Sequence, residues 1–549
     1  MKYKLSYMHQ DQPSVLPNNG LVQNNLNANL NLKLFKFLSV EYRTRYLNKT
    51  LRGRGTEGVG LLTALQERPT NGLLDFAKVP DNEEIIDPDN LIEYVHYDPL
   101  ETNDLYYRRR ESELYNMGGA LNWTIMKGMT IRNEFVWERF KQDDRNFTGV
   151  TTGSAYRTYG INLTEKQDTR NKWQLTNTFN YNFDLADVHN IQLMVGQEMK
   201  HEDNHSTYVR IGHFPENISA EKAFDNFALG TPISNTSTTP SPIRTLSFFG
   251  RANYSFDDRY LATFTLRADG TSKFARGHRW GYFPAGALAW RMSNEAFLRD
   301  VNWLSNLKLR VSLGTSGNDR IPSDLYLMMY KLGDISKAPG FGESESYFYD
   351  FNNAYPVNKN VKWETTITRN VGVDFGFFND RLSGSVEVYW NTTKDLLLAT
   401  QIPGDTGFTQ MLTNVGQTSN RGVELNLNGF IVERRDWTLG ANFNIGFNKG
   451  RIDKLAGNET SFYQEVSRID TNNDVYWYRV GETMGTILGY INDGFYTVSD
   501  FNYDPIARTY TLKPGIVDCS LLAGTLAPGS PKFAKVNTDP DDPDRYRLT

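Results

Sequence analysis

Between Trp173 and Phe183 the chain alternates, with Trp173, Leu175, Phe179, Tyr181 and Phe183 in one set and Gln174, Thr176, Thr178, Asn180 and Asn182 in the other. A period of two marks a strand, whose successive side chains point to opposite faces. The eleven residues from 173 to 183, rising about 3.3 Å each and tilted by about 45°, span about 26 Å, close to the apolar band of an outer-membrane barrel. The aromatics gather at the two ends of the segment, as interfacial girdles do. The same device recurs in seven pairs of alternating runs joined by brief turns: 28–46 turning at Lys36–Phe37, 120–140 at Met126 to Met129, 173–200 at Asp184 to Asn190, 246–267 at Phe256 to Arg259, 281–313 through a short segment with Asn294 and Glu295, 369–392 at Phe378 to Arg381, and 421–447 near Glu433 to Asp436. Between them lie longer stretches rich in Gly, Asn, Asp and Pro, namely 47–119, 141–172, 201–245, 314–368, 393–420 and everything after 448, with only 268–280 short.

Short connections at one end and long ones at the other are the loop asymmetry of an outer-membrane barrel, which neither a propeller nor stacked sandwiches predict. The pattern therefore predicts an all-β chain: a transmembrane antiparallel up-and-down β-barrel with long extracellular loops. At least fourteen strands suit closure better than an open sheet, since twisted open sheets rarely exceed about ten. In hydrocarbon every backbone N–H and C=O needs a protein partner, and a closed sheet supplies it. A soluble sandwich would bury the same rings in a core instead, so alternation alone leaves both arrangements open.

Composition narrows the choice. The 549 residues are 39% hydrophobic with a mean hydropathy of −0.54, and no long uninterrupted apolar run occurs, which excludes a bundle of transmembrane helices. Aromatics at 13%, with 44 Gly and 21 Pro, exclude disorder. Length alone would suggest about three or four globular domains, a prior that all-β chains often break. With 59 Lys+Arg against 64 Asp+Glu the formal charge is −5, which gives no field for nucleic acid. One cysteine, Cys519, permits neither an internal disulfide nor a thiolate zinc cluster. The opening MKYKLSYMHQ lacks the apolar region of a secretory signal.

The segment 248–318 carries a denser set of motifs: Phe249-Gly250-Arg251 with Tyr254, Asp258-Arg259-Tyr260, Arg267 with Asp269-Gly270, Gly281-Tyr282-Phe283-Pro284, Trp290, Leu307-Lys308-Leu309-Arg310, and Gly314 with Gly317-Asn318. Asn370-Val371-Gly372-Val373-Asp374, Asn420-Arg421-Gly422-Val423-Glu424, Gly489-Tyr490 and Pro528-Gly529 follow. Together these resemble the SusC/RagA-type, TonB-linked outer-membrane transporters of Bacteroidetes over most of residues 110–540. The resemblance implies part of a 22-stranded barrel. It also implies import of glycans or peptides with a SusD/RagB-like surface lipoprotein, driven by TonB-ExbB-ExbD, with no cofactor and no covalent chemistry. Members of that family carry a carboxypeptidase-like domain, a TonB-binding segment and a plug before the barrel, and further strands after it. Residues 1–549 match none of these, so the chain reads as an internal barrel fragment. Within the motifs, Gly270 suits a tight turn with φ > 0, Pro284 a kink or bulge, and Arg251, Arg267 and Arg310 a lumenal salt-bridge network.

Several motifs mimic chemistry. His201-Glu202-Asp203-Asn204-His205 has the H-E-x-x-H form of zinc peptidases. It continues a strand, where its histidines would stand about 13 Å apart, too far to share one metal. Gly53-Arg54-Gly55-Thr56-Glu57-Gly58 matches G-x-G-x-x-G, with Val59 to Arg68 as a possible helix, but Ser39 to Tyr46 before it alternates instead of running apolar as a dinucleotide-binding strand does. The carboxylates of 470–474 and 539–544 offer oxygen ligands to Ca²⁺ without the spaced glycine and terminal glutamate of an EF-hand. No nucleophile elbow, Walker loop or catalytic triad assembles, so no catalytic, metal or ligand-binding residue is assigned. Selectivity is expected in lumenal polar residues and in the loops 47–119, 201–245 and 314–368, where Tyr347, Phe348 and Tyr349 could stack on sugars. The expected partners are the lipoprotein, the TonB machinery, an oligosaccharide or peptide, and outer-membrane lipid. The rivals are a soluble secreted β-rich glycan-binding or adhesin module and a β-fold polysaccharide-degrading enzyme.

Overall fold

Alternation becomes strands along most of the chain. The computed structural model describes residues 1–14, 18–53, 106–149, 158–332, 349–351, 355–403, 405, 407–408, 410–456, 459–468, 471–490, 492–506, 508–520, 524–533 and 547–548. Sixteen strands are joined by antiparallel sheet hydrogen bonds and fall into two units, Met1–Gly286 with Asp319–Trp363, and Ala287–Asn318 with Glu364–Thr549.

The first unit holds β1 (Lys2–Pro13), β2 (Gly20–Phe35), β3 (Leu38–Arg52), β4 (Tyr106–Met126), β5 (Met129–Thr148), β6 (Asn162–Leu185), β7 (His189–Gly212), β8 (Thr231–Thr238), β9 (Ile243–Phe256), β10 (Tyr260–Thr271) and the start of β11 (Trp280–Arg291). From β1 to β7 and on to β9 and β10 each strand pairs with the next in an up-and-down ladder, and β8 pairs with the loop end of β7. The second unit holds the end of β11, β12 (Leu304–Asn318), β13 (Glu364–Phe377), β14 (Leu382–Gln401), β15 (Gln410–Glu433) and β16 (Thr438–Lys454), with β12 to β16 paired in chain order.

The six tight turns fall where the sequence places them. Lys36–Phe37 separates β2 from β3, Gly128 sits between β4 and β5, and residues 186–188, 257–259 and 378–381 close three more hairpins. The turn after β15 occupies 434–437, one residue beyond its predicted place. Twisted hairpins need φ > 0 at such turns. Gly128 (+79°), Asp257 (+50°), Asp258 (+51°), Asn379 (+57°) and Asp380 (+60°) supply it. Between β11 and β12 the connection is longer than expected, running from the 3₁₀ turn Met292–Asn294 to Trp303.

Other differences have physical causes. The strand read as 173–183 is 24 residues long, Asn162–Leu185, and its partner β7 is equally long. Beyond the apolar band both faces are polar, so hydropathy alternation stops although the backbone ladder, which needs no apolar residue, continues. The same overshoot shortens the connection expected at 393–420 to the residues between Gln401 and Gln410. At the loop end, β5 to β7 build a small core of Phe147, Ile161, Leu163, Ile211 and Phe214, covered by Ala223 of a one-and-a-half-turn helix, Ala220–Asp225, capped by Ser219. Strand β1 pairs along its whole length with β2 and has no counterpart among the predicted pairs, although Tyr3, Leu5 and Tyr7 alternate with Lys2, Lys4 and Ser6. Gly270 is an extended residue of β10, not a turn. Its lack of a side chain serves space, because a Cβ there would stand 3.0 Å from the Trp280 ring. Pro284 lies within β11.

Candidate functional site

Register turns separate strands into horizontal rows. Glu41, Ala120, Glu134, Thr176, Glu198, Ser247 and Asp269 are successive cross-strand partners from β3 to β10, and so share one face and one level. The row toward the turns contains Asn122, Arg132, Phe249 and Arg267, and the row toward the loops contains Arg43 and Lys200. A line of carboxylates therefore runs between two lines of cations. Arg132 pairs with Glu41 at 2.9 Å and Glu134 at 3.3 Å, and Arg43 also pairs with Glu134. Glu198 takes Lys200 at 2.9 Å and Arg267 at 3.1 Å, while Arg267 reaches Asp269 at 2.8 Å and lies over the Phe249 ring at 5.2 Å. Nearer the loops, Lys172 pairs with Glu202 and Arg170 with Glu138. At the top, Arg108 and Arg110 close on buried Asp144 at 3.1 and 2.6 Å.

The second unit repeats the arrangement. Arg310, Gly372, Glu387 and Glu424 form one cross-strand row. Arg310 is chelated by Asp374 at 2.8 Å and Glu387 at 2.6 Å, and Asn370 donates to the other oxygen of Glu387 at 3.0 Å. Gly372 leaves room for that guanidinium, since a Cβ there would lie 3.1 Å from Nη2 of Arg310. Of the three arginines expected in a salt-bridge network, Arg267 and Arg310 are in one. Arg251 shares their face but its Nε donates to Thr265 Oγ1 at 3.3 Å, with no ion pair among the described residues.

The opposite face is apolar and open. It carries Phe135 (49% exposed), Leu175, Phe179, Val195 (57%), Phe248 and Phe264 (56%) in the first unit, and Val311, Val388, Val423 and Phe447 in the second. Side chains of this kind stay exposed only where lipid, not water, is the solvent. Aromatic residues edge the band, with Trp137 and Trp173 at the loop end and Tyr181, Phe183, Tyr254, Phe256 and Tyr260 toward the turns. No described helix is long and apolar enough to cross a membrane.

The apparent chemical motifs settle into this frame where they are described. His201 and His205 lie on β7, an extended strand, with His201 Nε2 2.8 Å from Asp203 and His205 Nδ1 2.8 Å from Thr239. Among the described residues no group of three His, Cys, Asp or Glu is placed to hold a metal ion. Residues 54–58 of the glycine motif, the following 59–68, the carboxylates of 539–544, and the side chains of 470–474 and 347–349 lie outside the described residues. The acids Glu41, Glu134, Glu198 and Glu387 were not singled out from sequence. Their signal was a charge at the polar positions of a period-two pattern, but only register shows which cations they meet.

A sheet with one charged, hydrogen-bonded face and one bare apolar face defines the wall of an outer-membrane β-barrel. Comparison with known proteins makes this specific: residues 25–518 match the family model described as TonB dependent receptor-like, beta-barrel, and the chain belongs to that family. It is 38% identical over 277 residues, 49% of its length, to the TonB-dependent receptor SusC of Bacteroides thetaiotaomicron, covering 27% of that protein. It is 27% identical over 393 residues, 71% of its length, to the TonB-dependent receptor P3 of Formosa agariphila, covering 38% of it. A solved structure of the RagAB peptide transporter superposes with a TM-score of 0.71 at 20% identity, over 97% of this chain and 55% of that one. The chain thus spans between about a quarter and about half of the length of these three relatives. It is an outer-membrane receptor β-barrel chain of that family, similar to SusC over about half of its length, and neither the enzyme reading nor the soluble adhesin reading is supported.

Proposed function

We propose that this chain forms part of the wall of a TonB-dependent importer for glycans or peptides, working with a SusD/RagB-like lipoprotein that delivers the substrate. The observation that carries the proposal is the charged face itself. A barrel that served only as an anchor would need no cross-strand rows of Glu, Asp, Arg and Lys on its inner side, whereas a water-filled passage needs a wall that is polar and does not move. Pairing the charges leaves no strong single-sign field, which suits neutral or zwitterionic cargo better than a small ion. Sequence likeness to SusC along 49% of the chain supports the transport reading. Likeness to RagAB at 20% identity supports the fold alone, so the choice between glycan and peptide rests on experiment. Deleting the gene should abolish growth on one polymer or peptide class while sparing monomers. Uptake of the labelled substrate should also stop when TonB is removed. A deletion strain that imports every tested glycan and peptide at the parental rate would sink the proposal.

A further inference from the structure

The cations of the charged face are largely tied to carboxylates. Two groups toward the loop end of the apolar face are not. In the first unit Trp173, His201 and Arg244 are directly successive cross-strand partners, and Ser272 follows, its amide donating to Arg244 O at 2.9 Å. Together with Arg279, Trp280 and Tyr326 they line an open groove of about 810 Å³. Trp173 stacks on His201 at 5.7 Å and Trp280 on Phe248 at 6.2 Å. Arg279 gives its Nε to Phe274 O at 3.1 Å, and His201 is engaged by Asp203. Among the described residues neither Arg244 nor Arg279 has a carboxylate within ion-pair distance.

The second unit presents the same composition independently. Arg369, Trp390, Arg421 and Lys449 form one cross-strand row on its apolar face. Arg369 donates to Thr392 Oγ1 at 3.4 Å, and again no carboxylate pairs with any of the three cations among the described residues. Trp173 and Arg421 stand equally far from their own turns, and Arg369 and Trp390 stand eight residues from theirs (377 − 369 and 390 − 382). Trp173 stands twelve residues from Leu185 (185 − 173), and Arg421 twelve from Glu433 (433 − 421). At about 3.3 Å per residue and a tilt of about 45° Trp173 and Arg421 lie about 28 Å above their turns, the far edge of the hydrocarbon, and Arg369 and Trp390 about 19 Å above theirs. Short turns face the periplasm, so this edge is the outer-leaflet headgroup level.

We propose that these two clusters are binding sites for the phosphate groups of outer-leaflet glycolipid, with the guanidinium groups on phosphate and the indole rings against the sugar and the first methylenes. Unpaired guanidinium at a lipid-facing headgroup level is costly without an anion, and its planar fork matches phosphate oxygens. Basic pockets on a membrane protein's lipid side bind anionic headgroups on the same grounds. The inference needs only the outer-membrane wall and is independent of what the barrel transports.

The test uses the protein purified from outer membranes and placed in nanodiscs of phosphatidylcholine containing either phosphorylated lipid A or the same lipid after phosphatase treatment. The phosphorylated form should be retained through exchange into neutral detergent and should raise the unfolding temperature, and the treated form should do neither. Arg244→Gln with Arg279→Gln should remove the lipid held at the first cluster, Arg369→Gln with Arg421→Gln that at the second, and the fourfold variant should weaken total retention at least about fivefold. Lysine at the same positions should restore most of it. Substrate uptake should be unchanged, which separates this proposal from the transport reading. Equal retention of the two lipids, or wild-type retention by the fourfold Gln variant, would overturn it. So would displacement of the lipid by inorganic phosphate alone, which would assign the grooves to a free anion. Should the Gln variants fail to assemble, the comparison of the two lipids on the unaltered protein still decides.

Discussion

Glu198 holds two cations with its side chain only 12% exposed, and Asp269, paired with Arg267, is 13% exposed. Removing Arg267 would leave both carboxylates facing a half-dry wall with Lys200 as the one remaining counter-charge near Glu198. Arg267→Met is therefore expected to destabilise the barrel by about 1–3 kcal/mol, read from urea unfolding in detergent. Adding Glu198→Gln should cost less than the sum of the single changes, because the two share a network. A titration prediction belongs to the small lobe at residues 492–533, apart from the spanning strands, where Tyr496, Phe501 and Cys519 form a buried core. There Asp500 accepts the Thr497 amide at 2.7 Å and its hydroxyl at 3.0 Å, and these bonds hold the carboxyl below its ordinary value. A lowered folded value means that the contribution is complete above the unfolded pKa, near about 3.9, and is lost as pH falls through the folded one. Amide protection at Thr497 should thus drop under acid below about pH 4 in the parent and not in Asp500→Asn, whose protection would be low throughout. At this scale the sequence disclosed which residue types would face inward. It could not disclose partners, because Arg267 and Glu198 are 69 positions apart and meet only through two registers.

Hairpins were the most legible element, and the reason lies in turn chemistry. Asp257-Asp258 and Asn379-Asp380 sit between alternating runs and tolerate the left-handed backbone that such turns impose. Gly128 is the strictest case: its φ is +79°, its carbonyl accepts Asn182 N at 2.8 Å, and a Cβ would fall 2.0 Å from Asn182 O. Gly128→Ala must distort the turn and break that cross-strand bond together. It is expected to cost more than about 1 kcal/mol, and to reduce the yield of heat-resistant folded barrel in outer membranes, whereas Lys127→Ala beside it should be neutral. What escaped was of two kinds. The upper thirds of β5 to β7 have polar residues on both faces, so nothing in hydropathy distinguishes them from loop. The helix Ala220–Asp225 is shorter than the window over which a 3.6-residue period can be seen, and it exists because Ala223 fills the cluster around Leu163.

For the molecule as a whole, one question decides between a membrane wall and a soluble sheet: which solvent meets the apolar face. Two layers packed face to face would bury Phe135, Val195 and Phe264 against one another, yet these side chains are about half exposed, and the charged face carries the dense hydrogen bonding. Thr178 and Phe179 are adjacent on β6, at one depth and on opposite faces. Thr178 lies opposite Arg132, whose positive charge favours the reactive thiolate, while Phe179 lies between Ile131 and Val195. The single native thiol, Cys519, is buried and can be removed by Cys519→Ser to leave a silent background. On that background Thr178→Cys should react with a membrane-impermeant maleimide in intact outer membranes, and Phe179→Cys should react only after denaturation. Reaction of both at the same rate in intact membranes would mean that water reaches the apolar face. A wetted apolar face would contradict the barrel wall, because rings left bare to water are what the fold would otherwise have buried.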